Sequence, residues 1–194
     1  VNKDIWTRTT TNASILHVNN TYKKLIDSGI GEIQISLDGA TKETFEKIRV
    51  GANFEQIKNN IILLNNYAES KDELWKTSCW VMIQSDNIHE IKDILCLAAT
   101  LKFKRVVFQM SMNDFGRDEW KINSEKSGNK YMNADLEVEL YQRGQELGIV
   151  VSFWDNDGRY KRGDRCIWLF SRAYITAKME VTPCCMHWVS DDCY

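Results

Sequence analysis

The sequence contains a single proline, Pro183, in 194 residues. This scarcity excludes proline-rich linkers and tails. No long uninterrupted apolar run occurs, so a membrane-spanning helix is not expected. The formal net charge is only −2, which leaves no basic footprint for nucleic acid or for an anionic membrane surface. We therefore predict no nucleic-acid partner and no membrane partner.

The amino-terminal segment also lacks the basic-then-apolar layout of a secretion signal. Together with six cysteines, this absence favours a reducing compartment, and we expect a cytoplasmic protein. The sequence begins with Val1, and its first residues already have the composition of a strand. We therefore expect the chain to be a fragment of a longer polypeptide.

Neither a glycine-rich phosphate loop nor a Ser-His-Asp arrangement is recognisable. The most informative stretch instead lies at residues 32–41. Its alternate residues form an apolar row of Ile33, Ile35 and Leu37 and a polar row of Gln34, Ser36 and Asp38. A strand that is buried on both faces of a parallel sheet is normally apolar throughout. The polar row therefore predicts a strand that lines a ligand site, and a half-exposed antiparallel strand is the alternative.

Strands and helices alternate along residues 1–154. We predict strands at 5–12, 32–38, 77–84, 105–111 and 149–154, and helices that begin after Ser14, Thr41, Asn53 and Asn87 and at about Ala134. Residues 112–133 are predicted to be a long polar loop. Alternating βα units imply a parallel sheet with right-handed crossovers. Four or five such units are fewer than a closed eight-fold barrel needs.

Polar side chains gather where these strands end. They are Thr11, Asn12, Ser36, Asp38, Gln84, Asn87, Gln109 and Ser111. Ligands of parallel α/β sheets bind at the carboxyl ends of the strands. Hydroxyls and amides suit the ribose, amine and carboxylate of a nucleoside-like ligand, and ordinary caps and turns are the alternative.

The cysteines fall into two groups. Cys79 and Cys96 lie in apolar segments and are expected to be core thiols. The other four, which suit a metal site, crowd the last thirty residues and are Cys166, Cys184, Cys185 and Cys193. His17 and His89 lie on predicted helices and are expected at the surface.

Several phrases of the sequence resemble the middle of a radical S-adenosylmethionine (radical SAM) enzyme. The phrases are Thr10-Thr11-Asn12-Ala13, Leu25-Ile26-Asp27-Ser28-Gly29-Ile30, Ser36-Leu37-Asp38-Gly39-Ala40-Thr41 and Arg49-Val50-Gly51-Ala52-Asn53-Phe54. The segment from Cys166 to Cys185 resembles the opening of the SPASM extension of that family. The resemblance implies a partial parallel (β/α)6-type barrel, from its third strand onward, at residues 1–154. It also implies the start of a small cysteine-rich SPASM β-hairpin extension at residues 155–194.

The resemblance implies roles for individual residues. Ser36 and Asp38 match the position that contacts the ribose or methionyl end of S-adenosylmethionine, and Arg49 matches an arginine that meets its carboxylate. The positions that flank the adenosine are matched by Gln84, Asn87 and Glu90. Asn12 matches the third-strand position. Ala13 stands where glycine is commoner, which matters only if this turn needs a positive φ.

The function implied by the resemblance is that of an oxidoreductase or maturase. In that family a [4Fe–4S] cluster reduces S-adenosylmethionine, and the resulting 5′-deoxyadenosyl radical abstracts a substrate hydrogen. The implied partners are a peptide or small-molecule substrate and an electron donor such as flavodoxin or ferredoxin. However, the sequence contains neither the Cys-x-x-x-Cys-x-x-Cys motif that holds this cluster nor a Gly-Gly-Glu. The chain alone is therefore expected to be inactive.

The cysteine-rich end is compatible with more than one metal. Residues 174–185 are predicted to form a hairpin that returns Cys184 near Cys166, although Met179 stands where the family has glycine. The resemblance implies that Cys166, Cys184 and Cys193 hold an incomplete auxiliary iron–sulfur site. Zinc on Cys166, Cys184, Cys185 and His187 is the competing interpretation, and buried thiols without metal are a third. A non-catalytic metal-binding interaction module and an iron-free α/β-barrel enzyme remain rival functions.

Overall fold

Five parallel strands form one sheet in the order β1–β2–β3–β4–β5. We describe a computed structural model, in which residues 6–112, 118, 121–154, 173–176 and 178–182 are placed. The strands are β1 (Arg8–Thr11), β2 (Glu32–Ser36), β3 (Thr77–Met82), β4 (Arg105–Gln109) and β5 (Val150–Trp154). The mixed α/β architecture and the parallel pairing predicted from the βα alternation are thereby confirmed.

Helices connect successive strands. They are α1 (Thr21–Asp27), α2 (Lys42–Ile48), α3 (Phe54–Ser70), α4 (Ile91–Thr100), α5 (Lys121–Glu125) and α6 (Ala134–Leu147), and short 3-10 turns lie at Val18–Asn20, Leu74–Lys76, Ile88–Glu90 and Gly128–Lys130. Two predicted N-caps are confirmed, because Thr41 and Asn53 accept backbone N–H groups of their helices. In the described parts of the chain no helix combines the length and apolar character needed to cross a bilayer.

The sheet has two distinct faces. One face, here called the helix face, carries completely buried apolar side chains that pack with α1, α3, α4 and α6; they include Ile33, Ile35, Leu37, Cys79, Val81, Ile83, Val106 and Phe108. The other face, here called the Ser36 face, carries Gln34 and Ser36 on β2. Register places Ser36 beside Trp80, Trp80 beside Val107, and Val107 beside Ser152. The two rows predicted for residues 32–38 therefore lie on opposite faces.

Several predicted boundaries were wrong. Ser14 does not begin a helix: α1 starts only at Thr21, because Ala13, Asn19 and Asn20 adopt positive φ values of 61°, 50° and 55°. A helical segment does begin after Asn87, as the 3-10 turn Ile88–Glu90 that leads into α4, but Asn87 does not cap it, because its side chain bonds to the preceding loop. The segment 112–133 is not wholly loop, because it contains α5 and a 3-10 turn.

A short antiparallel pair is present near the carboxyl end of the described residues. β6 (Tyr174–Ile175) pairs with β7 (Val181–Thr182). The Met179 N–H donates to the Thr176 carbonyl at 2.9 Å, and Met179 has a φ of +65°. The connection is therefore a three-residue loop that ends in a left-handed residue, not a two-residue turn. The rest of the proposed extension, including Cys166, Cys184 and Cys193, lies outside the described residues.

Candidate functional site

Asp38 is the centre of a buried polar cluster at the carboxyl end of β2. Only 4% of the residue is exposed. Arg49, at the end of α2, donates to Asp38 Oδ2 from Nε at 2.8 Å and from Nη2 at 2.6 Å. The Met82 N–H donates to Oδ1 at 2.8 Å. Both carboxylate oxygens are thus engaged by the chain itself, and they tie β2 to α2 and β3.

The pKa of Asp38 is raised above its ordinary value. Burial is the dominant cause, because a desolvated carboxylate resists ionisation. The positive charge of Arg49 and the Met82 N–H act in the opposite direction and compensate only in part. Asp38 therefore depends on Arg49 to remain charged in this buried position.

Asn87 is completely buried directly behind Asp38. Its Nδ2 donates to the Asp38 carbonyl at 3.0 Å and to the Met82 carbonyl at 2.9 Å. Its Oδ1 accepts the Gln84 N–H at 2.8 Å. A single side chain thus satisfies three backbone groups where the strands end, and it fixes the spacing of the β2 and β3 loops.

Glu90 anchors the start of α2. Its carboxylate accepts the Ala40 and Thr41 N–H groups at 2.7 and 3.2 Å, and the hydroxyls of Thr41 and Thr44. Burial opposes ionisation of Glu90, but these hydrogen bonds outweigh it and hold the pKa of Glu90 below its ordinary value. The carboxylate charge also suits the positive amino end of the helix.

Ser36, Gln84 and Asn12 have different surroundings. Ser36 is half-buried, and within the described part of the chain its hydroxyl has no side-chain hydrogen bond. Gln84 is buried, and its backbone bridges to Ser127 of the segment that follows β4. Asn12 is exposed, and its Oδ1 accepts the N–H and the hydroxyl of Ser14 at 3.1 and 2.8 Å.

The structure therefore joins five of the seven predicted cofactor-binding residues, and Gln84 takes part through its N–H, which Asn87 Oδ1 accepts. Asp38, Arg49 and Asn87 form one bonded cluster, and Glu90 holds the loop that directly follows Asp38. Among the residues that the structure describes, Asn12 bonds only to Ser14 of its own turn. That turn does need a positive φ, at Ala13, so the exchange of glycine for alanine imposes strain there.

Sequence reasoning missed a second buried cluster on the Ser36 face. Glu32, 5% exposed, accepts Arg8 Nε at 2.8 Å and Arg105 Nη2 at 2.5 Å. The Ser78 hydroxyl donates to the same carboxylate at 3.2 Å. The alternation of side chains along the strands could have indicated this cluster. Glu32 and Arg105 lie on the same face of the sheet as Gln34 and Ser78.

A contact between two tryptophans was also missed. Trp80 and Trp154 lie on the Ser36 face with ring centroids 5.8 Å apart. The Trp80 indole N–H donates to Gln109 Oε1 at 2.8 Å. Both Trp residues are half-buried. The alternation of side chains along β3 and β5 predicts that both rings lie on the same face of the sheet. Their contact depends in addition on the register of the strands.

The predicted metal ligands Cys166, Cys184 and Cys193 are not among the described residues. Within the part that is described, no three His, Cys, Asp or Glu side chains are grouped as metal ligands. Cys79 is a buried core thiol, as predicted, and burial raises its pKa. Cys96 is only half-buried and faces Arg143, whose Nη2 lies 3.8 Å from the sulfur. His17 and His89 are exposed, as predicted.

No protein-family model matches the chain, and no curated protein matches it. Its function is therefore inferred from the geometry of the clusters at the strand ends.

Proposed function

We propose that this chain is the cofactor-binding wall of a radical SAM-type enzyme. It would hold S-adenosylmethionine at the carboxyl edge of its parallel sheet, beside Ser36 and Arg49. When bound to a reduced [4Fe–4S] cluster, that cofactor supplies a 5′-deoxyadenosyl radical for hydrogen abstraction from a peptide or small molecule. The observation that carries the proposal is the ion pair of partly exposed Arg49 with buried Asp38, which lies two residues beyond Ser36; the Ser36 hydroxyl has no side-chain hydrogen bond among the described residues.

The strand order supports a partly closed barrel. The five strands follow one another without a reversal of direction or order, as in a singly wound barrel. Arg105 of β4 also reaches Glu32 of β2, past the small Ser78 of the intervening strand. The long side chains of Arg105 and Glu32 meet over Ser78 on the Ser36 face, and we assign this face to the inside of the barrel.

The donor groups fit the cofactor in a specific way. Asp38 has both oxygens engaged, so we assign it the role of orienting Arg49 instead of touching the ligand. Arg49 has five N–H donors, and only those on Nε and Nη2 are used by Asp38. Its side chain is 29% exposed, and its remaining donors suit the methionyl carboxylate. The Ser36 hydroxyl suits the ribose. The flanking roles of Gln84, Asn87 and Glu90 stay predictions.

This chain does not supply the ligands of the catalytic [4Fe–4S] cluster. Its Cys-x-x-x-Cys-x-x-Cys motif is missing from the sequence, so we assign no step of electron transfer to these residues. The electron donor of the flavodoxin or ferredoxin type would serve only an assembly that supplies the missing thiolates. The missing motif is also the feature that favours the alternative, a non-catalytic metal-binding module.

Isothermal titration calorimetry of the full chain with S-adenosylmethionine tests the proposal. Ser36→Ala should weaken binding about fivefold, the value of one hydrogen bond, and Arg49→Met should weaken it more. Adenosine binding should be unaffected by Arg49→Met, because adenosine lacks the carboxylate. Ser28→Ala is the matched control, since that exposed hydroxyl lies at the end of α1, where it donates to the Leu25 carbonyl at 2.7 Å and accepts the Ile30 N–H at 3.3 Å. The absence of binding at millimolar ligand, or equal loss in the Ser28 variant, would refute the proposal and favour the non-catalytic module.

A further inference from the structure

Glu32 is the centre of a second polar cluster, at the end of the sheet opposite to Asp38. Arg8, Glu32 and Arg105 are the first residues of β1, β2 and β4. Only 5% of Glu32 is exposed, and its two oxygens bond to different guanidinium groups. Oε2 accepts Arg8 Nε at 2.8 Å, and Oε1 accepts Arg105 Nη2 at 2.5 Å. The two guanidinium groups are therefore held close together by one buried carboxylate.

The charges within this cluster do not balance. Glu32 carries one negative charge, whereas Arg8 and Arg105 each carry a positive charge, because a guanidinium stays protonated in proteins. The other groups bonded to Glu32 Oε1 are neutral: the Ser78 hydroxyl donates at 3.2 Å and Gln34 Nε2 donates at 3.4 Å. The cluster therefore has an excess of one positive charge.

Both arginines reach solvent, although the carboxylate that holds them does not. The side chains of Arg8 and Arg105 are 36% and 39% exposed, compared with 6% for Glu32. Val150, which lies beside Arg105 in the register of β4 and β5, is 63% exposed. A dissolved ion can therefore contact the outer side of the guanidinium groups while Glu32 stays in place behind them.

The arginines also have N–H donors to spare. A guanidinium has five N–H groups on three nitrogens. Arg8 bonds to Glu32 through Nε alone, and no described residue accepts from its Nη1 or Nη2. Arg105 bonds through Nη2, and its buried Nε has no acceptor in the described part of the chain. One arginine would balance Glu32. The second adds like-charge repulsion and further unpaired donors, and a bound anion would offset both costs.

The chemistry of these donors favours an oxyanion. A guanidinium presents its N–H groups as a planar fork, which matches the paired oxygens of a carboxylate or a phosphate. A spherical ion such as chloride offers no pair of oxygens to this fork. Two neighbouring forks with an excess positive charge therefore select for an oxygen-bearing anion by geometry as well as by charge.

We propose that Arg8 and Arg105 form a binding site for an oxyanion, a phosphate or carboxylate group, at the amino end of the sheet. Glu32 is a positioning residue, because it holds both guanidinium groups from behind. The site does not rest on the proposed function. Glu32 and Ser36 are the first and last residues of β2, which separates them by about 13 Å at the rise of a parallel strand.

Nuclear magnetic resonance of the arginine Nε–H signals of the full chain tests the site. Sodium phosphate, titrated against sodium chloride at constant ionic strength, should shift the signals of Arg8 and Arg105 saturably. Arg143 is the control, since its exposed guanidinium donates to Glu146 at 2.7 Å, and its signal should stay in place. Sodium acetate is titrated in the same way, and the ion that saturates at the lower concentration identifies the group. Equal, non-saturating shifts of all three signals in both salts would overturn the proposal.

Variants complete the test. Arg8→Met should weaken binding of the preferred ion about tenfold, the value of one charge-assisted hydrogen bond, and it leaves Glu32 its bond to Arg105. Arg8→Lys, which keeps the charge but not the fork, should recover part of the affinity. Arg143→Met, the matched control, and Ser36→Ala should not change it. Unchanged binding in Arg8→Met, or an equal loss in Arg143→Met or Ser36→Ala, would refute the site.

Discussion

Arg49 lies eleven residues beyond Asp38 in the chain and holds that carboxylate with two hydrogen bonds to the same oxygen, from Nε at 2.8 Å and from Nη2 at 2.6 Å. Arg49 is the C-cap residue of α2, and Asp38 lies two residues beyond the end of β2. The pair therefore fixes the position of a helix relative to the strand end at which the ligand is proposed to bind.

Arg49→Met should destabilise the protein at neutral pH by about 2 kcal/mol, because it leaves a buried carboxylate without its counter-charge. The folded pKa of Asp38 is already raised. The stability contributed by such a group falls as the pH rises from the unfolded value through the folded pKa. Loss of Arg49 raises the folded pKa further, so the deficit should be small at pH 4 and grow towards pH 7. Urea unfolding at a series of pH values measures this change.

An exposed ion pair of the same helix provides the control. Lys42 bonds Glu46 at 2.8 Å, and the lysine side chain is 65% exposed. Lys42→Met should cost less than about 0.5 kcal/mol at every pH. Equal losses in the two variants would show that burial of Asp38 has no energetic consequence.

Glu90→Gln should weaken the attachment of α2. An amide can accept on only one side, so at least one of the donors from Ala40, Thr41 and Thr44 would face an NH₂ group. We expect a loss of about 2 kcal/mol at neutral pH. Because the pKa of Glu90 is lowered on folding, its contribution is present above the unfolded value of about 4.3 and is lost as the pH falls through the folded pKa. The free energy of unfolding of the variant should therefore fall less steeply than that of the wild type as the pH is lowered. Urea unfolding at a series of acidic pH values measures this slope.

Glu139 serves as the matched carboxylate. It bonds Lys92 at 2.6 Å but is 53% exposed. Glu139→Gln should change stability by less than about 0.5 kcal/mol and leave its pH dependence at acidic pH unchanged. If the stability of Glu90→Gln falls with decreasing pH as steeply as that of the wild type, the assignment of Glu90 as an ionised anchor is contradicted.

The periodicity of the sequence was sufficient to predict the sheet and the direction of its side chains. The alternation of Ile33, Ile35 and Leu37 with polar residues identified the helix face, and the apolar residues of β3 behaved in the same way. Parallel pairing followed from the intervening helices. Local hydrogen-bonding residues were less predictable, since Asn87 resembles a helix cap in sequence but bonds backward to the Gln84 N–H.

Contacts between distant residues could not be predicted. The ion pair of Glu32 with Arg105 joins residues 73 positions apart, and Trp80 meets Gln109 across 29 positions. Each depends on the register of neighbouring strands, which periodicity does not fix. The Asp38–Arg49 pair had a different obstacle: the resemblance assigned both residues to a ligand and gave no sign that they bond to each other.

Glu32→Gln should destabilise the amino end of the sheet by about 3 kcal/mol, because it removes the charge that Arg8 and Arg105 share. A double-mutant cycle of Glu32→Gln with Arg105→Met should give a coupling energy of at least about 1 kcal/mol. Glu146→Gln is the control, since its bond to Arg143 is exposed on both sides. Additive losses in the cycle would contradict a direct energetic link across β3.

Met179→Gly should stabilise the β6–β7 hairpin by about 1 kcal/mol, because glycine relieves the left-handed strain at φ +65°. Methionine contributes little packing here, since Met179 is 80% exposed. Hydrogen exchange of the Thr176 and Glu180 amides, which are bonded across the loop, measures local opening. Lys178→Gly is the control, and it should accelerate exchange, because glycine adds unfolded-state entropy. Slower exchange in both variants would contradict the strain at Met179.

Anaerobic reconstitution with iron and sulfide tests the cysteine-rich end. If Cys166, Cys184 and Cys193 ligate iron, the triple substitution to serine should abolish the visible absorption of a cluster, because serine does not replace a thiolate ligand. Cys79→Ala and Cys96→Ser should leave it unchanged, since burial raises the pKa of the Cys79 thiol and Cys96 belongs to α4, in which no metal group is found among the described residues. Cys185→Ser distinguishes the metals: it should spare an iron–sulfur site that uses Cys184 but weaken a zinc site that uses both. Zinc uptake without visible absorption would refute the cluster.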